Sequence, residues 1–404
     1  MFPTERFRNK HILVGITGGI AAYKAAELVR YLIQQEAEVR VVMTSAAGKF
    51  ISPLTMETLS QHAVATDLFP ENAFSGTHHI NLADWADAAI IAPASYDVIG
   101  KLYSGIADDL LTTIWAAIHC PTVIAPAMNV NMWNNPILQR NIDELSKLGY
   151  LFCPPEEGFL AEGYSGKGRL APLEHLIQYL YRAVHPAPSS LSIKKVLVTA
   201  GKTEEPIDPV RVISNRSSGK MGLAMAWEAF ARGASVKLIH GPMVLPHPVD
   251  MEIVEIATAE EMYQVVKKLY PECDIFASSA AVADYTPAGP VSRKIKKKEA
   301  DLTLELSPTV DILKDCGENR TSGQQLIGFA VETDSPEETG AQKLNEKNLD
   351  MIVVNNPREK GAGFDIDTNI VTLMHRNGAR EKISVLPKLD VAFRIFDFLL
   401  KNQS

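Results

Sequence analysis

Two adjacent histidines, His78 and His79, precede one apolar run, and a second apolar run ends in Ala127-Met128-Asn129, with Met132 and Trp133 close behind. An imidazole that titrates near neutrality can hold or move a proton. An amide such as Asn129 donates hydrogen bonds without adding charge, and Met132 next to it offers an apolar wall. The second half of the chain carries different chemistry. Asn215 and Arg216 precede Ser217-Ser218-Gly219-Lys220, and a basic run, residues 293–298, follows the carboxylate of Asp284. Lys343 and Lys347 stand four residues apart further on. Lysines near a carboxylate able to hold a metal suit a triphosphate and its divalent cation. Taken singly, each feature has an ordinary explanation: a capping amide, a histidine bonded to a carbonyl, a solvated run of lysine. Their number and order favour chemistry.

These side chains need elements to hold them. "HILVGITGG" (11–19) is a short apolar strand running into glycines, and "IAAYKAAELVRYLIQQ" has helical spacing. Further strands are expected at 37–44, 86–95 and 121–129, with "IGKLYSGIADDLLTTIWAAI" (99–118) as one helix between the last two. The pattern restarts after a Pro- and Ser-rich stretch. A strand is expected at 194–203, a helix and then a strand over 217–242, and strands at 273–285, 326–333 and 349–356. Alternating strands and helices indicate parallel sheets covered on both faces. The expected fold class is therefore α/β, with two doubly wound, mostly parallel sheets: residues 1–184, a linker at 185–193, and residues 194–404. Ligands of such sheets sit beyond the carboxyl ends of the strands. Gly18, Gly19, Thr44, Ser45, Ser95 and Ala127 all follow strands of the first unit and are read together as one mononucleotide site.

Composition narrows the class. Of 404 residues, 46% are apolar and 22% charged, and the net charge of −8 disfavours a general nucleic-acid surface. Cys120, Cys153, Cys273 and Cys316 show no CxxC spacing, which fits reduced thiols rather than a disulfide framework. No apolar run reaches the roughly 18–20 residues of a membrane span, and the charged N-terminus lacks the apolar core of a signal peptide. A cytoplasmic protein acting on small molecules, without nucleic acid or membrane, is the expectation.

The strings "HINLADWADAAIIAPAS", "GIADDLLTT" and "APAMNVNMW", in that order, resemble the flavin-dependent cysteine decarboxylases of the phosphopantothenoylcysteine type. The resemblance spans about 11–172 and implies a flavodoxin- or Rossmann-like flavoprotein that binds FMN and assembles as a trimer. It implies His79 as the active-site histidine, Asn129 as the amide on the substrate's carboxylate or amide, and Met132 in the wall around it. The implied reaction is redox-neutral: the cysteinyl thiol is oxidised to a thioaldehyde, CO₂ leaves, and the ene-thiol is reduced. A dry pocket eases the loss of CO₂. Where that family often has a cysteine that donates the last proton, this chain has Glu162. Glu162, Cys153, another group or water remain alternatives for that step.

"DPVRVISNRSSGKMG", "AAVADY", "KIKK", "GFAVET" and "KLNEKNLD" resemble the phosphopantothenate–cysteine ligases over roughly 195–390. This implies a Rossmann-like ligase unit that uses CTP and Mg²⁺. Asn215 is implied at the acyl-cytidylate and Lys294 at CTP. Ser279, Ala280, Ala281, Asp284, Asp311, Ile312, Leu313, Phe329, Lys343 and Lys347 are implied around the nucleotide. Glu204 stands where the family commonly has arginine. Together the halves resemble the bacterial bifunctional coenzyme A biosynthesis family, whose trimeric first units and dimeric second units imply a homo-oligomer as large as a dodecamer. A ligase with an impaired decarboxylase half, and a flavin-binding regulator, are the alternatives.

Overall fold

The computed structural model describes residues 4–69, 78–159, 163, 165–185, 191–244, 248–289, 291–296, 302–332, 336–359, 361–363 and 365–403. The chain divides into two compact units. One is Glu5–Pro186 and the other comprises Met1–Thr4 and Ala187–Ser404, within which the Thr4 hydroxyl donates to Asp390 Oδ1 at 3.0 Å. Part of the expected linker, 186–190, lies outside the described residues, as does Glu162.

The first unit runs β1 (His11–Ile16), α1 (Ala25–Gln34), β2 (Glu38–Met43), α2 (Pro53–Ser60), α3 (His78–Trp85), β3 (Ala88–Ala94), α4 (Tyr96–Ser104), α5 (Leu110–Ala117), β4 (Thr122–Pro126), α6 (Val130–Trp133), α7 (Pro136–Lys147) and β5 (Leu151–Phe152). A hairpin of β6 (Glu156–Phe159) and β7 (Ser165–Arg169) and then α8 (Leu173–Ala183) complete it. The five-stranded sheet is parallel throughout, in the order β2-β1-β3-β4-β5. Every residue of β3 is buried, as expected for a central strand covered on both faces. The single helix expected over 99–118 is two. Gly105 adopts the left-handed conformation that ends α4, and Asp109 opens α5 with a capping box to Thr112. These local stop and start signals prevail over the continuous apolar pattern.

The second unit runs β8 (Lys195–Ala200), β9 (Glu204–Pro206), β10 (Val212–Ser214), α9 (Lys220–Ala231), β11 (Ser235–His240), β12 (Glu252–Glu255), α10 (Ala259–Leu269), β13 (Ile275–Ser278), β14 (Tyr285–Pro287), β15 (Leu306–Pro308) and α11 (Ile312–Glu318). Then come β16 (Gln325–Val331), α12 (Pro336–Glu346), β17 (Met351–Asn355), β18 (Thr368–His375), β19 (Arg380–Pro387) and α13 (Lys388–Lys401). Its eight-stranded sheet has the order β12-β11-β8-β13-β16-β17-β18-β19. The strands from β12 to β17 are parallel, and β18 and β19 add antiparallel. The strand expected over 273–285 stops at Ser278, because the small residues beyond it lie as a loop against residues 199–203.

In each sheet the strand order reverses beside the unit's first strand, between β1 and β3 and between β8 and β13. A buried threonine bridges each reversal. Thr17 Oγ1 donates to Pro93 O (2.8 Å) and accepts from Ser95 N (2.9 Å), and Thr199 Oγ1 accepts from Ala280 N (3.3 Å). Removing the first hydroxyl by Thr17→Val strands a buried donor and acceptor. It should destabilise the first unit by about 1–3 kcal/mol in a denaturant titration, whereas Thr17→Ser, which keeps the hydroxyl, should fall well below that.

Candidate functional sites

All carboxyl ends of the first sheet lie on one edge, which brings the expected mononucleotide residues to that edge. Gly18 is pressed against the loop after β2: a Cβ there would sit 2.5 Å from Ala46 Cβ. Gly19 faces open space, with nothing within 4 Å of the place its Cβ would take. Ser45 is exposed, and Thr44 Oγ1 accepts from Ala47 N at 3.3 Å. Ser95 caps α4 through Val98 N, and Ala127 N donates to Ala94 O at 3.1 Å. An open backbone turn flanked by hydroxyls suits the phosphate of a mononucleotide. Thr17, in contrast, spends its hydroxyl inside the fold.

His79 occupies the first turn of α3. Trp85, at the other end of that helix, stacks on His11 at the start of β1 with centroids 4.8 Å apart. The helix therefore ends at the amino edge of the sheet, and its first turn is directed back toward the carboxyl edge. His79 is half-buried and has no hydrogen-bond partner among the described residues.

Asn129 caps the short α6, its Oδ1 accepting from Asn131 N at 2.8 Å. Met128 and Trp133 pack against the core of the unit, while Met132 is 42% exposed. The stretch after β4 thus mixes an anchor and a presented surface. The β6–β7 hairpin lies directly on it. Met128 N donates to Gly168 O at 2.9 Å, and a Cβ on Gly168 would fall 2.2 Å from Met128 O. Lys167 Nζ lies 5.6 Å from the centre of the Trp133 ring. Gly168 is thereby explained by close backbone approach, and Gly166, whose Cβ would meet Val130 Cγ2 at 2.9 Å, by the side chain of α6 lying over it. Cys153 is fully buried.

The second unit holds a cavity of about 680 Å³ at the carboxyl edge of its sheet. Ser279, Ala280, Ala281 and Asp284 line it from the loop after β13, Asp311, Ile312 and Leu313 from the start of α11, and Phe329 from β16. Lys343 and Lys347 enter from α12 and its end. Asn215 lines it too, its Nδ2 donating to Val282 O at 2.8 Å. Lys343 pairs with Glu332, and Lys347 Nζ stands 2.8 Å from Asp311 Oδ2. Residues 217–222, the loop and first turn of α9, close another side. Gly222 lets that helix approach β8, since a Cβ there would meet Ala200 Cβ at 2.5 Å.

Lys294 is exposed and outside the lining, and Lys297 and Lys298 lie outside the described residues. A buried carboxylate tethers its segment. Asp208 Oδ2 accepts from Ile295 N (3.1 Å) and Oδ1 from Val210 N (2.8 Å) and Arg211 N (2.9 Å), while Arg211 Nη2 donates to Ile295 O (3.1 Å). Burial works against its charge, but these N–H groups and the Arg211 guanidinium hold the Asp208 carboxyl below the usual carboxylate range. Glu204 pairs with Lys202 at 3.1 Å and does not line the cavity, so its charge is spent on a neighbour.

Lys220 and Lys388 also line the cavity. Neither was assigned from the sequence. Lys388 opens the last helix after a proline, and no spacing connects it with Lys220, 168 residues earlier. Burial, followed by repulsion from Lys220, pushes the Lys388 ammonium down to about 8.

A flavoprotein family model matches residues 3–185, and a model of the DNA/pantothenate metabolism flavoprotein C-terminal domain matches residues 191–402. The coenzyme A biosynthesis bifunctional protein CoaBC of Bacillus subtilis is 47% identical, covering 96% of this chain and 96% of its own length. Its namesake in Haemophilus influenzae is 44% identical over 98% of each. The crystal structure of the C-terminal domain of a coenzyme A biosynthesis bifunctional protein CoaBC is 39% identical, with a TM-score of 0.45, covering 53% of this chain and 98% of its own.

Removing the tether tests its role. Asp208→Ala should speed amide exchange at Ile295 and tryptic cleavage at Arg293 and Lys294. The native carboxyl titrates below its unfolded value of about 3.9, so its contribution is complete above that value. It should be lost as pH falls through the lower native one, read as an acid-induced rise in Ile295 exchange that the variant lacks.

Proposed function

This chain belongs to the family of coenzyme A biosynthesis bifunctional proteins, and from that membership we propose that its second unit ligates 4'-phosphopantothenate to cysteine and its first unit decarboxylates the product to 4'-phosphopantetheine. The observation that carries the reading is the cavity of the second unit, where Asn215, Asp284, Phe329, Lys343 and Lys347 converge from separate segments.

In the ligase step the carboxylate of phosphopantothenate attacks the α-phosphorus of CTP and pyrophosphate leaves. The amine of cysteine then opens the acyl-cytidylate, CMP leaves, and an amide forms. Mg²⁺, were it bound with the nucleotide, would supply further neutralisation of the phosphate charge. Lys343 and Lys347 hold their ammonium groups toward the cavity and offset the charge that builds during phosphoryl transfer. Their pairing with Glu332 and Asp311 keeps the two cations in place before a ligand arrives. Asn215, anchored on Val282 O, orients the acyl-cytidylate. Lys294 is carried by the segment that Asp208 tethers and contacts CTP from outside the lining described above.

In the first unit FMN, when bound, accepts two electrons from the cysteinyl group and returns them once CO₂ has gone. Gly18, Gly19, Ser45 and Ser95 fit its phosphate through an open turn and adjacent hydroxyls. Asn129 orients the substrate, Met132 keeps water from the carboxylate, and His79 handles protons from the first turn of α3. The first units associate as trimers and the second as dimers. Among the described residues no helix is long and apolar enough to cross a membrane.

Mass spectrometry of products from phosphopantothenate, cysteine and CTP tests the scheme. Phosphopantetheine, CMP and pyrophosphate are expected, and a mixture that ends at the ligated acid would overturn the role of the first unit. His79→Asn should lower CO₂ release by about 10²–10⁴-fold and leave CTP-dependent pyrophosphate release unchanged, so that the ligated acid accumulates.

A further inference from the structure

We propose that Lys388 is a positioning residue of the ligase cavity, which sets the wall at Gly363 next to the first turn of α9 and supplies, while protonated, the positive field that holds an anionic ligand group beside Lys220. The proposal rests on the ligase reading above and extends it to residues that reading leaves unused.

The geometry is a strap with two fasteners. Lys388 Nζ donates to Gly363 O (3.0 Å) and Ile366 O (2.5 Å), and Lys388 N donates to Asp367 O (2.8 Å). Lys220, first residue of α9, donates through Nζ to Asp365 O (2.7 Å) and Asp367 Oδ1 (2.7 Å). Asp367 therefore touches both lysines, by its carbonyl on one side and its carboxylate on the other. Gly363, Lys220 and Lys388 all face the cavity. Moving Lys388 would move the wall and, through Asp367, the ammonium of Lys220.

Lys388 is 3% exposed, and burying an ammonium is costly even when carbonyls receive its protons. It is also the first residue of α13, where the partial charge of the helix end is positive. A methionine of the same length would bring no charge to the wall but would leave the carbonyls of Gly363 and Ile366 without this donor, whereas an arginine would keep both the charge and donors. The charged groups that face Lys388 are Lys220 from α9 and Asp365 and Asp367 from the segment before β18. The native ammonium titrates at about 8. Below that pH it is charged and holds an anion; as pH rises through it, the charge and the hold are lost. An anion that binds beside it favours the charged form, so binding above pH 8 takes up a proton.

Calorimetric titration of the full chain at pH 8.5, in buffers of different ionisation enthalpy, counts that proton. CTP and 4'-phosphopantothenate are titrated separately, since a triphosphate and a phosphomonoester offer the same chemistry. Net proton uptake at pH 8.5 that shrinks as the titration is repeated at lower pH is expected for whichever one sits beside Lys220. Lys388→Met should abolish the uptake and weaken binding at pH 7 about tenfold or more. Lys388→Arg should restore the pH 7 affinity without uptake, because a guanidinium stays charged. Matching thermal unfolding of the Arg variant and the wild type secures the comparison. Uptake that survives in Lys388→Met, or ligand binding by the wild type with no linked proton, overturns this inference alone. A wild-type chain that binds neither ligand removes the ligase reading and this inference with it.

Discussion

A hydroxyl group bridging two strand ends is the constraint on which both sites depend. Where strand order reverses, successive connections leave to opposite sides, and a crevice opens that would otherwise widen freely. Thr17 closes the floor of one crevice by bonding to both Pro93 and Ser95, and Thr199 does the same for the other through Ala280. Both side chains are buried, so their polar groups must be satisfied inside the fold. The positions of Ser95 at the start of α4 and of Ala280 in the cavity wall follow from these bonds.

Above that floor the rims are built by close backbone approach. Gly168 lets the β6–β7 hairpin lie on Met128, and Gly222 lets α9 descend onto Ala200. In the second unit the loop 279–283 is stitched to residues 199–203 by backbone bonds and by Thr203, whose hydroxyl accepts from Ala283 N at 3.0 Å. Small residues are needed there because a larger side chain would lift the loop from its support. The same loop presents Ala280 and Ala281 to the cavity, so one requirement of packing also shapes the site.

Charge then distinguishes the two sites. The edge of the first unit carries hydroxyls, an amide and open backbone, groups that suit a ligand without strong fields. The cavity of the second gathers Lys220, Lys343, Lys347 and Lys388, with Asp367, Glu332 and Asp311 holding the first three. Ion pairs of this kind fix cations in position before a polyanion arrives, which lowers the reorganisation that binding demands. This chain thus places two different electrostatic arrangements on two largely parallel sheets.

Apolar periodicity identified the strands that begin at His11, Glu38, Ala88, Thr122 and Lys195 and the helix after the first of them, and the rule that ligands sit beyond strand ends pointed to the edge with Gly18 and Ser95. Those features were legible because each is encoded within a few neighbouring residues. The break at Gly105 was local as well, but it was masked by apolar residues on both sides. The antiparallel pair β18–β19, the Asp208 tether, the pairing of Glu204 with Lys202, and the meeting of Lys220 with Lys388 across 168 residues belong to tertiary structure. Hydrogen bonds and ion pairs depend on distance in space, and a chain that folds back on itself sets that distance without regard to separation along the sequence.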